Sequence, residues 1–124
     1  LLGVDAAALQ RERDMLGPLL ETFVLQELRR QASGRSEPLS FFHFRDRDDF
    51  EVDIVIERGA GQVAGVEVKA AASVAERDLR GLRKLKEAAG RRFASGVVLY
   101  DGEAGIDFGD GLYAVPLRTL WEGS

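Results

Sequence analysis

Two short stretches constrain this chain more than any other feature. Residues 50–57 alternate, with Phe50, Val52, Ile54 and Ile56 on one side and Glu51, Asp53, Val55 and Glu57 on the other. Residues 63–69 alternate again, with Ala64, Val66 and Val68 set against Gly65, Glu67 and Lys69. A side-chain period of two marks a strand with one face buried. Gly59-Ala60-Gly61 lies between the two stretches and reads as a turn, so they form a hairpin. Burying both apolar sets on one face fixes the register, because a slip of one residue would turn every side chain over. With residues 58–62 as the loop, Asp53 falls directly opposite Glu67, and Lys69 lies two positions further along the same face.

The remaining elements follow from periodicity and breakers. Leu16, Leu19, Leu20, Phe23, Val24 and Leu28 recur at three and four residues around Gly17-Pro18, which predicts an amphipathic helix starting at the proline and ending near Gln31. A polar loop covers residues 33–39, Phe41–Arg45 is a short aromatic strand, and Asp46-Arg47-Asp48-Asp49 is a turn. Val74, Leu79, Leu82, Leu85 and Ala89 predict a helix over residues 74–89, stopped by Gly90. Phe93–Tyr100 is a buried strand, Asp101–Gly111 a Gly/Asp-rich connection, Leu112–Val115 a last strand and Leu117–Trp121 a terminal turn. The expected fold class is α/β, with an αβββαβ order and a mixed central sheet flanked by helices.

With 124 residues, 45% of them hydrophobic and 31% charged, the chain reads as one globular domain over residues 1–124. It has neither a membrane-length apolar run nor a signal-peptide layout, so the expected location is the cytoplasm, away from membranes. The opening Leu1-Leu2-Gly3, without an initiator methionine, predicts that it is part of a longer protein. Cysteine is absent, which excludes disulfides and thiolate chemistry and leaves any metal to carboxylates or to the single histidine. A hard cation, Mg²⁺ or Mn²⁺, suits such ligands.

Net charge is −4, which is not the balance of a dedicated nucleic-acid binder. Charge is nevertheless uneven: Arg77, Arg80, Arg83, Lys84, Lys86, Arg91 and Arg92 stand against Asp78 and Glu87. This basic helix is either a DNA-facing patch or a solvated surface.

The facing carboxylates carry the chemistry. Asp53 and Glu67 at strand-pair distance repel each other unless a cation lies between them. A divalent ion held there suits phosphodiester hydrolysis, with Lys69 orienting water or stabilising developing negative charge, and with the Val68 carbonyl as a further metal contact. Glu21, at the rim of the first helix's stripe, is an outer ligand to the same site. Glu27, nearer the middle of that stripe, needs a partner if buried and is an outer-sphere candidate. Several motifs read as structural. The Gly59-Ala60-Gly61 and Gly65 spacing joins two strands and is no dinucleotide loop, His43 is an ordinary strand residue, and Ser40 and Ser73 lack an adjacent base.

Gly17-Pro18-Leu19-Leu20-Glu21, Glu51-Val52-Asp53 and Glu67-Val68-Lys69 together resemble the PD-(D/E)xK, restriction-endonuclease-like nuclease superfamily, with the three motifs in that superfamily's order. Gly17 to Leu28, the two strand motifs, Asp78-Leu79-Arg80-Gly81-Leu82 and Gly96-Val97-Val98-Leu99-Tyr100 look more closely like the uncharacterised C-terminal domain that follows an AAA-type ATPase in many prokaryotic proteins. The resemblance implies a metal site at Asp53 and Glu67, a catalytic lysine at Lys69, a helix carboxylate at Glu21 and an N-terminal ATPase module as partner. One departure is that Val52-Asp53 stands where the superfamily's name has proline-aspartate. Two functions follow as expectations: a Mg²⁺-dependent DNA nuclease tethered to an ATPase, or a non-catalytic module of the same fold that binds nucleic acid, a protein partner or its own ATPase. The Asp101–Gly111 loop is open to substrate contact, subunit contact or simple mobility.

Overall fold

The computed structural model describes residues 20–34, 38–59 and 61–122. The expected helix start at Gly17-Pro18 lies outside them. Helix α1 is seen over residues 20–32. It is followed by β1 (Leu39–Arg45), β2 (Glu51–Arg58) and β3 (Val63–Lys69), then a 3₁₀ turn at Glu76–Leu79 that runs into α2 (Arg80–Ala89). The chain continues through a second 3₁₀ turn at Gly90–Arg92 to β4 (Phe93–Tyr100), β5 (Ile106–Gly109), β6 (Leu112–Pro116) and α3 (Thr119–Glu122). The six strands form one mixed sheet in the order β1-β2-β3-β4-β6-β5. The β1-β2-β3 meander is antiparallel, β3-β4 and β4-β6 are parallel, and β5 returns antiparallel to β6. The expected α/β class with a mixed sheet between helices is the observed one.

Each face of the sheet is closed by the apolar stripe of one helix. Leu79, Leu82 and Leu85 recur at three residues and pack on Val52, Val55, Val63, Val98, Leu112 and Ala114. On the opposite face Val24 is fully buried against Ile54, Val66 and Leu99, with Leu25 and Leu28 beside it. Burying a side chain of this size is worth about 1.5–3 kcal/mol, so these two clusters hold the layers together. Parallel strands need a long crossover, and α2 supplies it between β3 and β4. Gly90 ends the helix at φ 59°, donating its N–H to the Lys86 carbonyl. Among the described residues no helix is long and apolar enough to cross a membrane.

Three sequence expectations change. The helix expected from Val74 begins later, because the Asp78 carboxylate accepts the Ala75 N–H at 2.7 Å and winds residues 76–79 into a 3₁₀ turn first. The Asp101–Gly111 connection contains β5, which pairs Ile106 with Ala114 and Asp107 with Tyr113 and turns through Gly109, Asp110 and Gly111, all at positive φ. Strict alternation also fails in β2. Phe42 pairs with Val55 but Phe44 with Val52, so His43 on β1 opposes two residues, Asp53 and Ile54. This β-bulge turns Val52 toward α2 together with Val55, and leaves Ile54 and Ile56 on the α1 face.

Candidate functional site

The hairpin register places the site. Pairing of β2 with β3 runs from Glu57↔Val63 to Ile54↔Val66 and stops one pair short of Asp53 and Glu67. Beyond that point side chains take over from the ladder. Glu67 Oε1 accepts the Asp53 N–H at 2.6 Å, and Asp53 Oδ2 accepts the Val68 N–H at 2.8 Å. Each carboxylate is thus tied to a backbone N–H of the other strand across the mouth where the strands part. Bulges recur beside functional sites because they re-aim one side chain, and Asp53 occupies this one.

An open cavity of about 400 Å³ lies over this mouth. Asp53, Glu67 and Lys69 line it, together with Asp49, Phe50 and Glu51 at the start of β2 and Arg77, Asp78, Arg80 and Gly81 at the start of α2. Negative charge is concentrated on its sheet side. Burial, followed by repulsion from Asp53, pushes the Glu67 carboxyl up to about 8. Asp53 is likewise raised, chiefly by burial, although the Val68 N–H opposes the shift. Glu21 reaches Asp53 from α1 and is not in the cavity lining. Its carboxyl is raised by burial and by the neighbouring Asp53 charge.

Lys69 does not neutralise this pair. Its ammonium is 2.5 Å from Asp78 Oδ2, a partner from the turn before α2. Burial would raise the Asp78 carboxyl, but the hydrogen bonds from Lys69 and Ala75 outweigh it and the net shift is downward. The donor chemistry of Asp53 and Glu67 fits a divalent cation. The set is all oxygen, on neighbouring strands, and both acids are raised chiefly by burial, which a bound cation would offset. The groups are not drawn together into a ready chelate of three His, Asp or Glu side chains among the described residues.

Other expected residues fall elsewhere. Glu27 is removed from the site. Its carboxylate is bonded to Arg30 and to the Gln31 amide, three and four positions on along α1, so the partner it needs is local and structural. The basic helix is largely engaged. Arg83 bonds Glu76 and Asp110, Lys86 donates to the Asp110 carbonyl, Lys84 lies over the Phe50 ring, and Arg92 bonds Glu57. Only Arg77 and Arg80 of that patch line the cavity.

Three neighbours of the site escape sequence reasoning. His43, read as an ordinary strand residue, has Nδ1 3.5 Å from the Asp53 carbonyl oxygen and Nε2 3.4 Å from Glu51 Oε1, because the bulge brings it there. Glu51 lines the cavity, and Asp78 holds Lys69. For Asp78 a signal existed: an acid three residues after Ala75 has the spacing of a turn-capping side chain.

Comparison with known proteins supports the fold. The structure matches a chain of an assembly of Thermococcus gammatolerans McrB AAA+ hexamers with bound McrC, at a TM-score of 0.52 and 16% identity. The match covers 82% of this chain but 27% of the other, so the present chain spans about a quarter of that protein. No curated protein matches. A family model, a domain of unknown function named DUF4143, matches residues 16–120. Since that stretch is most of the sequence and includes α1, α2, the hairpin and every residue lining the cavity, the chain belongs to the DUF4143 family.

Proposed function

We propose that this chain is a PD-(D/E)xK-type nuclease module that uses Mg²⁺ or Mn²⁺ to hydrolyse phosphodiester bonds in DNA, as the C-terminal part of a cytoplasmic protein with an AAA-type ATPase. The observation that carries this reading is the pair Asp53 and Glu67 at the parting of β2 and β3, with Lys69 lining the same open cavity. Asp53, Glu67 and the Val68 carbonyl would hold the cation, and Glu21 would steady Asp53 from behind. Bound there, a divalent ion supplies Lewis-acid polarisation of a phosphoryl oxygen and a more acidic water. The Lys69 ammonium stabilises negative charge as it develops on the phosphate, and Arg77 and Arg80 hold the flanking phosphates. The ATPase partner is supported by the likeness to a chain from an AAA+ hexamer assembly, whose subunit is much longer than this one.

The test is cleavage of single-stranded, duplex and branched DNA with Mg²⁺ and with Mn²⁺. Asp53→Ala and Lys69→Ala are expected to lower the rate by at least about a hundredfold while leaving the thermal transition in place. Full cleavage by both variants would remove the proposal. A second reading, a non-catalytic docking module, draws on the engaged basic side chains of α2, where Arg83 pairs with Glu76 and Asp110 and Lys86 is held by the Asp110 carbonyl. It predicts no cleavage by the wild type under any of these conditions.

A further inference from the structure

We propose that Asp78 is the positioning residue for Lys69, and that the turn before α2 holds the ammonium at the site; this rests on the nuclease reading for its catalytic meaning. A lysine carries its charge on a flexible four-carbon stem, so an unanchored ammonium samples many positions. Here Nζ is fixed 2.5 Å from Asp78 Oδ2, with the two side chains 27% and 20% exposed.

The anchor is itself rigid. Asp78 Oδ2 also accepts the Ala75 N–H at 2.7 Å, and the Asp78 N–H returns to the Ala75 carbonyl at 2.9 Å, so the turn is tied in both directions. It runs directly into α2, whose first turn rests against the Glu51 carbonyl of β2 through Gly81. Asp53 follows two residues later on that strand, so anchor and carboxylates belong to one braced unit. An ammonium has three donors, and the contact with Asp78 uses one. Two remain for water or a phosphate oxygen in the cavity, so Lys69 can be held and still act.

Two measurements test this. The first needs no cleavage. The protein is treated with limiting acetic anhydride at one pH, and acetylation of each lysine is read by mass spectrometry. In Asp78→Asn, which keeps an acceptor for the Ala75 N–H, labelling of Lys69 is expected to rise on the order of fivefold as the ammonium is released, while Lys84 and Lys86 stay unchanged. Asp78→Glu is expected to bring Lys69 back toward the wild-type rate. Unchanged Lys69 labelling in Asp78→Asn overturns the proposal, as does a parallel rise at all lysines, which would report general loosening. The second is kinetic. On a DNA substrate, Asp78→Asn is expected to lower kcat about ten- to a hundredfold with KM unchanged, as misplacement of a reacting group does. A kcat that holds or rises would make Asp78 a bystander or a restraint and overturn the positioning role. If the wild type cleaves nothing while Lys69 labelling follows the expected pattern, the nuclease reading fails and the anchoring of Lys69 by Asp78 stands.

Discussion

Replacing Glu67 by glutamine is expected to stabilise the metal-free protein at pH 8.5 and to leave it almost unchanged at pH 5. Burial and Asp53 push the Glu67 carboxyl from its ordinary 4.5 up to about 8. Below about pH 4.5 the folded and unfolded states both carry the proton, and Glu67 contributes no pH dependence. Between about 4.5 and 8 the folded state binds it more tightly, so stability falls as pH rises, and above about 8 the full penalty of the buried anion remains. Discounted for partial exposure and for the share that belongs to Asp53, that penalty is on the order of 2–4 kcal/mol. Asp53 and Glu21 are raised as well and slope the same way, and their repulsion from Glu67 disappears in the variant. Asp78 is lowered and acts below its ordinary 3.8, outside this window. Urea unfolding at pH 5, 6.5 and 8.5 in chelator measures the effect, and wild-type and variant curves that run parallel across that range would refute it. The proposed cation site gives a companion result: Mg²⁺ should stabilise the wild type more at pH 8.5 than at pH 5, and the Glu67→Gln variant little at either.

That Glu67 faces Asp53 was legible in the sequence because both strands keep the same period and a glycine turn joins them. Register then needs no knowledge of the rest of the fold as far as Ile54↔Val66, and past that pair the Glu67 carboxylate takes the Asp53 N–H. The order of helix, hairpin, second helix and buried strand is legible for the same reason, each element having its own periodicity. The β2 bulge is not. One extra residue opposite His43 leaves no mark in composition, yet it decides that Val52 packs under α2 and not beside Ile54. Nor is β5, since the glycines and aspartates of residues 101–111 signal a turn while four residues among them are recruited by the edge of β6. The Lys69–Asp78 pair depends on where a crossover helix lands, and a separation of nine residues, through a turn of separate structure, hides it. Glu27 shows the reverse error: its place on the apolar stripe suggests a distant role, but Arg30 and Gln31 satisfy it within the same helix.

Gly81→Ala is expected to destabilise the protein by about 3 kcal/mol and to disturb the site, although alanine is the better helix former by about 1 kcal/mol. A Cβ on Gly81 would stand 2.0 Å from the Glu51 carbonyl oxygen and 3.0 Å from its carbon, and both are backbone atoms that cannot rotate aside. The first turn of α2 must therefore lift from β2, and it carries Leu79 and Leu82, both fully buried, away from Val52. The same movement shifts Asp78 and with it the hold on Lys69, and it widens the cavity between Glu51 and Arg80. A matched control is Gly34→Ala, where nothing lies within 4 Å of the added carbon and the expected change is within about 0.5 kcal/mol. Urea midpoints at constant slope separate the two variants. If propensity governs the position, Gly81→Ala will unfold at a higher urea concentration than the wild type, and the close approach of α2 to the Glu51 carbonyl would then not be what fixes the wall of the site.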